Sequence, residues 1–118
     1  MASLRTGETE QKYLAHIKNG GLTKSGCPLC AREPAKAFKY WKIIPNHFPY
    51  DRVAERHDMV VPLRHASGEE LTEDEWFELA ELKKGFITDT YVYTLEATKS
   101  FKSLPEHFHL HLITLKES

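Results

Sequence analysis

Three histidines alternate with apolar residues near the C-terminus, in the segment His107-Phe108-His109-Leu110-His111. Successive side chains of a β-strand point to opposite faces, so this spacing predicts three imidazoles on one face and Phe108 and Leu110 towards the core. Neighbouring histidines would then lie about 6–7 Å apart at Cα. Such a face could bind a metal, or supply a nucleophile or general base near neutral pH. A merely solvated face is the third interpretation.

Two cysteines, Cys27 and Cys30, form a Cys-Pro-Leu-Cys motif. A structural disulfide is not expected in a reducing compartment. The spacing is typical of a knuckle that provides two of the four ligands of a tetrahedral zinc ion. A redox pair would normally lie at a helix start in a βαβ unit, which the sequence does not predict. Two small buried residues are the remaining alternative.

The length of 118 residues predicts a single domain, 1–118, with an N-terminal helix and linker over 1–24 and a core over 25–115. The formal net charge of −1 gives no reason to expect a nucleic-acid polymer or an anionic membrane as partner. No apolar stretch approaches the roughly 18 residues of a membrane span, and the polar N-terminus has no signal-peptide core. A cytoplasmic protein is therefore expected.

Several elements must position these residues. A helix is predicted over Glu8–Lys18, ended by glycines, and a main helix from the capping box Thr72–Glu75 to about Lys84, where Gly85 should stop it. Strands are predicted over Ala37–Ile44, Met59–Leu63, Ile87–Leu95 and His107–Leu115. The expected fold is α+β: an antiparallel sheet of about four to five strands with one main helix and a short N-terminal helix.

The C-terminal segment resembles the pattern of the histidine triad (HIT) family, His-φ-His-φ-His-φ-φ, where φ is an apolar residue. Two upstream segments extend the resemblance. Residues 46–50 are similar to the family's Asn-x-φ-Pro-Tyr, and residues 57–65 to its His-φ-φ-Val-φ-Pro-x-x-His strand. The resemblance covers the chain from about Cys27 to Leu115 and implies a HIT-like fold.

Members of this family hydrolyse or transfer nucleotidyl groups through a covalent nucleotidyl-histidine. The resemblance implies that His109 is the nucleophile, that His111 hydrogen-bonds the phosphate and the site backbone, and that His57 supports them. A neutral imidazole is a competent nucleophile near neutral pH. The implied partner is a purine nucleotide or a nucleotidyl conjugate, and the implied assembly is a homodimer.

A zinc-containing subset of the family, related to the galactose-1-phosphate uridylyltransferases, carries the cysteine knuckle. In that subset the histidine that ends the Val-x-Pro strand and the first histidine of the triad complete the metal site. The resemblance therefore implies a structural zinc ion bound by Cys27, Cys30, His65 and His107.

The chain departs from the family pattern at two places beside the expected substrate. The connection between Tyr50 and His57 is longer than usual, and residues 97–103 lack the glycines of the usual phosphate-binding loop. The side chains expected to hold phosphate instead are Lys99, Ser100, Lys102 and Ser103. A solvated turn is the alternative for these residues.

Three further residues are candidates for contacts with the nucleoside. Asn46 could bond a ribose hydroxyl, while Phe48 and Tyr50 could flank a base, although packing of a turn explains them equally well. Two other functions stay open from the sequence. One is a metalloenzyme that uses the histidine strand as an open metal site, and the other is a nucleotide-binding or sensing module without turnover.

Overall fold

The computed structural model describes residues 3–21, 26–102 and 104–117. Ser103, one of the predicted phosphate-binding residues, lies outside the described residues. The helices are α1 (Gly7–Lys18), α2 (Glu73–Leu82) and α3 (Thr88–Thr90), and the strands are β1 (Lys36–Ala37), β2 (Trp41–Pro45), β3 (Ala54–Pro62), β4 (Tyr93–Leu95) and β5 (Leu110–Leu115). The predicted α+β class is confirmed. In the described part of the chain, no helix has the length and apolar character needed to span a membrane.

The five strands form one antiparallel sheet in the order β1-β2-β3-β5-β4. Strand β3 lies at its centre, and Met59 is opposite both Ile44 of β2 and His111 of β5. Directly opposed residues share a face. One face of the sheet therefore carries Lys42, Ile44, His57, Met59, Val61 and His111, and we call it the site face.

The other face of the sheet packs against α2 and holds the larger hydrophobic core. Thr72 caps α2 by accepting from the Glu75 amide, and the Glu75 carboxylate accepts from the Thr72 amide in return. The buried residues of this core include Trp41, Ile43, Val60, Leu79, Leu82, Phe108, Leu110 and Leu112. Phe108 stands edge-on to Trp41, with ring centroids 5.7 Å apart. This packing fixes the backbone between the triad histidines.

Some predicted element boundaries are wrong. The strand predicted over Ala37–Ile44 is split into β1 and β2 by a turn, and the strand predicted at Met59 begins at Ala54. Gly85 does not end the helix, since a π-helical turn passes through Lys83–Ile87 and continues into α3. Ile87 is buried in the core from that helical turn, so packing overrides the β propensity of the segment 87–95, of which only the last three residues are strand.

The predicted strand over His107–Leu115 is shorter than expected. Strand β5 begins at Leu110, so only His111 of the three histidines lies within it. The chain before β5 is bonded to the β3–α2 connection instead, because the Phe108 amide donates to the Ala66 carbonyl at 2.7 Å. This arrangement places His107 between the end of β3 and the cysteines, with Nε2 beside the Pro62 carbonyl and Nδ1 beside the two sulfurs.

Candidate functional site

Four candidate metal ligands lie together at one end of the site face. The donor atoms of Cys27, Cys30, His65 and His107 all lie within 4.8 Å of one another. The His107 Nδ1 is 3.2 Å from Cys27 Sγ, 3.3 Å from Cys30 Sγ and 3.3 Å from His65 Nδ1. One ring nitrogen has one proton or one lone pair and cannot satisfy three such neighbours by hydrogen bonds. A cation shared by the four donor atoms would satisfy them.

The spacing of the donors fits a tetrahedral metal site. With metal–sulfur and metal–nitrogen bonds of about 2.3 and 2.05 Å, tetrahedral angles place nitrogen about 3.3 Å from nitrogen and about 3.5 Å from sulfur. The observed nitrogen–nitrogen distance is 3.3 Å, and the sulfur–nitrogen distances are 3.2–3.4 Å. Two cysteine sulfurs and two imidazole nitrogens form a closed donor set with no position left for substrate.

Groups around the cluster orient its ligands. The His107 Nε2 donates to the Pro62 carbonyl at 3.1 Å, which leaves the Nδ1 lone pair towards the cysteines. Lys42 is 5% exposed, and its ammonium donates to the carbonyls of Cys30 and Arg32 at 3.3 and 2.8 Å. This buried lysine holds the backbone of the cysteine loop against the sheet.

His57 and His111 form a second cluster on the site face, and its tautomers follow from the hydrogen bonds. The Tyr50 amide donates to His57 Nδ1 at 2.9 Å, so the proton of neutral His57 is on Nε2. That Nε2 donates to His111 Nδ1 at 2.8 Å, which places the His111 proton on Nε2. The His111 Nε2 then donates to the Tyr50 hydroxyl oxygen at 3.2 Å. The Tyr50 hydroxyl proton remains for a ligand.

Burial keeps both histidines of this pair neutral. Burial, with a smaller contribution from the positive charge of Arg5, lowers the pKa of His57 to about 4 and that of His111 to about 3. Burial also raises the pKa of Tyr50, which stays protonated. The pair therefore acts as a fixed set of donors and acceptors at neutral pH.

His109 lies between the two clusters and differs from both. Its Nδ1 donates to the His107 carbonyl at 3.0 Å, so neutral His109 carries its proton on Nδ1 and its lone pair on Nε2. Burial lowers the pKa of His109. No described contact occupies Nε2, and the side chain lines a cavity. Among the triad histidines of the described chain, His109 alone combines an uncommitted lone pair with access to that cavity.

The cavity has a volume of about 200 Å³ and lies over the site face. Its walls include the aromatic rings of Tyr13, Phe48 and Tyr50, together with His109 and His111. Basic side chains line it as well: Arg5, Arg32 and Lys102. Among the described residues that line it, none carries a carboxylate. The cavity therefore favours an anionic ligand with a flat apolar part.

The predicted substrate-binding residues do not all reach this cavity. Asn46, Phe48, Tyr50 and Lys102 line it. Lys99 and Ser100 do not, and Lys99 pairs at the surface with Glu69 at 3.0 Å. Lys102 is paired with Glu96 at 2.6 Å, which offsets part of its charge.

Sequence reasoning missed two arginines in the cavity wall. Arg32 follows the cysteine knuckle, and its guanidinium donates to the Pro45 carbonyl. Arg5 lies in the N-terminal segment, 43 residues before the Phe48 carbonyl to which its Nε donates at 2.7 Å. No local pattern marks either residue, because both reach the cavity through contacts between distant parts of the chain.

The site combines a closed set of candidate metal ligands with a histidine lone pair beside a basic cavity. An open metal site on the same histidines has less support, because His57 and His111 use ring nitrogens on each other and on Tyr50. Comparison of the sequence with models of protein families and with curated proteins gives no match. Function therefore has to be inferred from the chemistry of these residues.

Proposed function

We propose that this chain is a HIT-type enzyme that hydrolyses or transfers a nucleotidyl group at the α-phosphate, with His109 as nucleophile. The observation that carries the proposal is the bond from His109 Nδ1 to the His107 carbonyl, which directs the lone pair to Nε2 in a residue that lines the basic cavity. The spacing of the triad and the two upstream segments that resemble the family support the same assignment.

The proposed reaction has two displacements at phosphorus. The Nε2 lone pair of His109 attacks the α-phosphorus, and the bond from phosphorus to the oxygen or nitrogen of the leaving group breaks, so that the leaving group departs with the electron pair and takes a proton from water. The nucleotidyl-imidazolium keeps its proton on Nδ1, where the His107 carbonyl accepts it. Water or another hydroxyl then attacks phosphorus, loses its proton to solvent, and returns the electron pair to Nε2.

The other residues of the site have supporting roles in this proposal. His57 and His111 hold the Tyr50 hydroxyl in place, so Tyr50 donates to a phosphate oxygen. The rings of Phe48 and Tyr13 provide a flat apolar wall for a base. The basic residues of the wall balance the charge of the nucleotide.

We further propose that the metal bound by Cys27, Cys30, His65 and His107 is zinc. Thiolate and imidazole ligands in a tetrahedral set are typical of structural zinc. The ion would hold the cysteine loop against the end of β3 and the segment before β5. It would supply structural support and no reacting group, which leaves the chemistry to His109.

The experiment that tests the catalytic proposal is mass spectrometry of the intact protein after incubation with nucleotidyl donors. The panel contains nucleoside phosphoramidates, dinucleoside polyphosphates and nucleotide sugars. We expect an added mass of one nucleoside monophosphate, located on His109 by fragmentation. His109→Gln should lose the adduct and reduce turnover at least 1,000-fold, about the scale for removal of a nucleophile.

His109→Gly provides the matched control, since added imidazole can occupy the space of the missing side chain. Restored turnover in imidazole with no adduct on the protein would show that only the nucleophile is missing. Unchanged turnover in His109→Gln would exclude the mechanism. Binding of nucleotides without adduct or turnover across the whole panel would favour the non-catalytic sensing module.

A further inference from the structure

The long connection between Tyr50 and His57 holds the N-terminal segment against the domain. The Asp51 carboxylate accepts from the Thr6 amide at 2.7 Å, the Thr6 hydroxyl at 3.1 Å and the Thr9 hydroxyl at 2.5 Å. The Arg52 amide donates to the Leu4 carbonyl at 2.9 Å. The Arg52 side chain donates to the Arg5 carbonyl at 2.6 Å. We call these contacts of Asp51 and Arg52 the latch.

The latch places the Arg5 side chain inside the cavity wall. The Arg5 Cζ lies 4.0 Å from the ring centroid of Tyr13 and 5.0 Å from that of Tyr50. The side chain is only 13% exposed, and its Nε donates to the Phe48 carbonyl at 2.7 Å. These contacts hold a guanidinium at a defined place, at a low entropic cost to any ligand that binds it.

Charge and position connect Arg5 with the reacting end of the cavity. Tyr50, over which the guanidinium lies, is hydrogen-bonded to His111. Among the described residues, the one acidic group within ion-pair distance of Arg5 is Glu10, at 3.6 Å from Nη1. That separation is longer than a charge-assisted hydrogen bond, and no described contact occupies Nη2. The guanidinium therefore has donors free for an anion.

We propose that Arg5 binds the phosphate of the nucleotide at this site, and that Asp51 and Arg52 are the residues that position it. The identity of the ligand rests on the proposed function. The proposal relates two departures from the family pattern: the glycine-poor segment before the triad supplies few phosphate contacts, and the long connection after Tyr50 brings in an arginine instead. A guanidinium presents paired donors that match two phosphate oxygens.

The test measures nucleotide affinity by isothermal titration calorimetry. AMP, GMP, CMP and UMP are the probes, each with its nucleoside as the phosphate-free control. We expect Arg5→Ala to weaken the binding of the best nucleotide by about 10- to 100-fold, the scale of a charge-assisted hydrogen bond, and the matching nucleoside by less than about threefold. Arg5→Lys should recover part of the affinity, because it keeps the charge without the fork.

Lys12→Ala is the matched control. Lys12 lies on α1, as a surface cation paired with Glu8, and does not line the cavity. This variant should bind nucleotides as the unaltered protein does. Equal losses for nucleotide and nucleoside in Arg5→Ala would mean that Arg5 only shapes the wall, and that result overturns the proposal. No binding of any of the four nucleotides by the unaltered protein overturns it as well.

Asp51→Ala tests the positioning part. We expect the same selective loss of nucleotide affinity, together with faster hydrogen exchange at the amides of α1, while the amides of β3 and β5 keep their protection. If Asp51→Ala speeds hydrogen exchange in α1 but binds nucleotide as tightly as the unaltered protein, the role of the latch is refuted.

The outcome is separable from that of the catalytic proposal. If nucleotide binding depends on Arg5 but no adduct forms on His109, the proposed Arg5 site is supported and the proposed enzyme mechanism is excluded. If an adduct forms on His109 but nucleotide affinity does not depend on Arg5, only the proposed Arg5 site is excluded.

Discussion

At the scale of residues, the three triad histidines are distinguished by which ring nitrogen is bonded. His107 donates through Nε2 and presents Nδ1 to the cysteines, whereas His109 donates through Nδ1 and keeps Nε2 free. His111 accepts on Nδ1 and donates through Nε2. The three side chains therefore have two tautomers, with the proton on Nε2 in His107 and His111 and on Nδ1 in His109, and each has different partners. The backbone carbonyls of Pro62 and His107 set the tautomers of His107 and His109.

Acid should destabilise the fold through the buried pair. The folded-state pKa is about 4 for His57 and about 3 for His111, below the ordinary 6.5. Between pH 6.5 and about 4 the unfolded chain therefore binds protons that the folded chain refuses, so the free energy of unfolding falls as pH falls. Each such histidine contributes a slope of up to about 1.4 kcal/mol per pH unit.

Urea unfolding of the zinc-loaded protein and of His57→Gln, at half-unit steps from pH 6.5 to 4.5, checks this expectation. In the variant, the slope of the free energy of unfolding against pH should be smaller by up to about 1 kcal/mol per pH unit, because the contribution of His57 disappears. Release of metal at low pH acts on both proteins and cancels in the difference. Parallel curves would contradict the assignment of His57 as a buried neutral histidine.

Much of the site could be predicted at this scale, and the reason is spacing. The alternation at His107–His111 and the Cys-x-x-Cys motif are local, and the structure places Cys27, Cys30, His65 and His107 in one cluster, as expected. Arg5 and Lys42 could not be found this way. The role of each depends on a partner more than 30 residues away or on burial of a charge, and neither produces a periodic pattern.

At the scale of elements, the connection from β3 to α2 carries one candidate metal ligand, His65, and is held by an ion pair. Arg64, which precedes His65, donates to the Glu75 carboxylate at 2.8 Å. Glu75 is 3% exposed and also closes the capping box of α2. The helix start therefore determines where His65 lies relative to the cysteines.

Glu75→Ala should disturb both the helix and the metal site. We expect a loss of about 1–2 kcal/mol in the free energy of unfolding, the scale of a lost cap with an unpaired donor, and at least threefold weaker zinc binding in a chelator competition. Glu73→Ala is the control, since Glu73 is an exposed acid in the same turn and should change stability by less than about 0.5 kcal/mol. Equal zinc affinity in the two variants would contradict the role of the ion pair.

The presence of an element with a periodic pattern is easier to predict than the residue at which that element ends. The capping box located the start of α2 correctly, and α1 agrees with its prediction within one residue. The predicted strand at Ile87 failed because its β-branched residues are packed from a helix that continues through Gly85. Propensity describes a residue in isolation, and here the core on the α2 side decides the conformation.

At the scale of the whole molecule, the four candidate metal ligands come from three distant parts of the chain. Cys27 and Cys30 belong to the loop after α1, His65 follows β3, and His107 precedes β5. A smaller hydrophobic cluster beside them contains Leu29, Ile44, Met59 and Val61, with Cys27 packed against it. A chain of 118 residues buries a modest core, so an ion bound at this cluster would contribute a large share of its stability.

We therefore expect removal of a bound metal to destabilise the protein. For zinc held well above its dissociation constant the stabilisation is about 4 kcal/mol, which predicts a fall of roughly 10–20 °C in the midpoint of thermal unfolding after chelation. Calorimetry with and without a chelator, with elemental analysis for zinc, measures this. The Cys27→Ser, Cys30→Ser double variant should unfold at the lower midpoint temperature, and the chelator should not change that midpoint.

An unchanged midpoint accompanied by lost turnover would contradict a structural metal. That result would favour the alternative of an open, catalytic metal on the histidine strand.

The latch also has a consequence for how this chain can change over generations. The side-chain hydrogen bonds of Asp51 and Arg52 described above all go to residues 5–9, so these two residues contribute little to a protein that has lost its N-terminus. Without them the Arg5 backbone loses the bond from the Arg52 side chain, and the contacts of the Arg5 side chain lose that support. We therefore expect Arg5, Thr6 and Asp51 to be inherited as a unit, so that lineages in which one of them is replaced also replace the others.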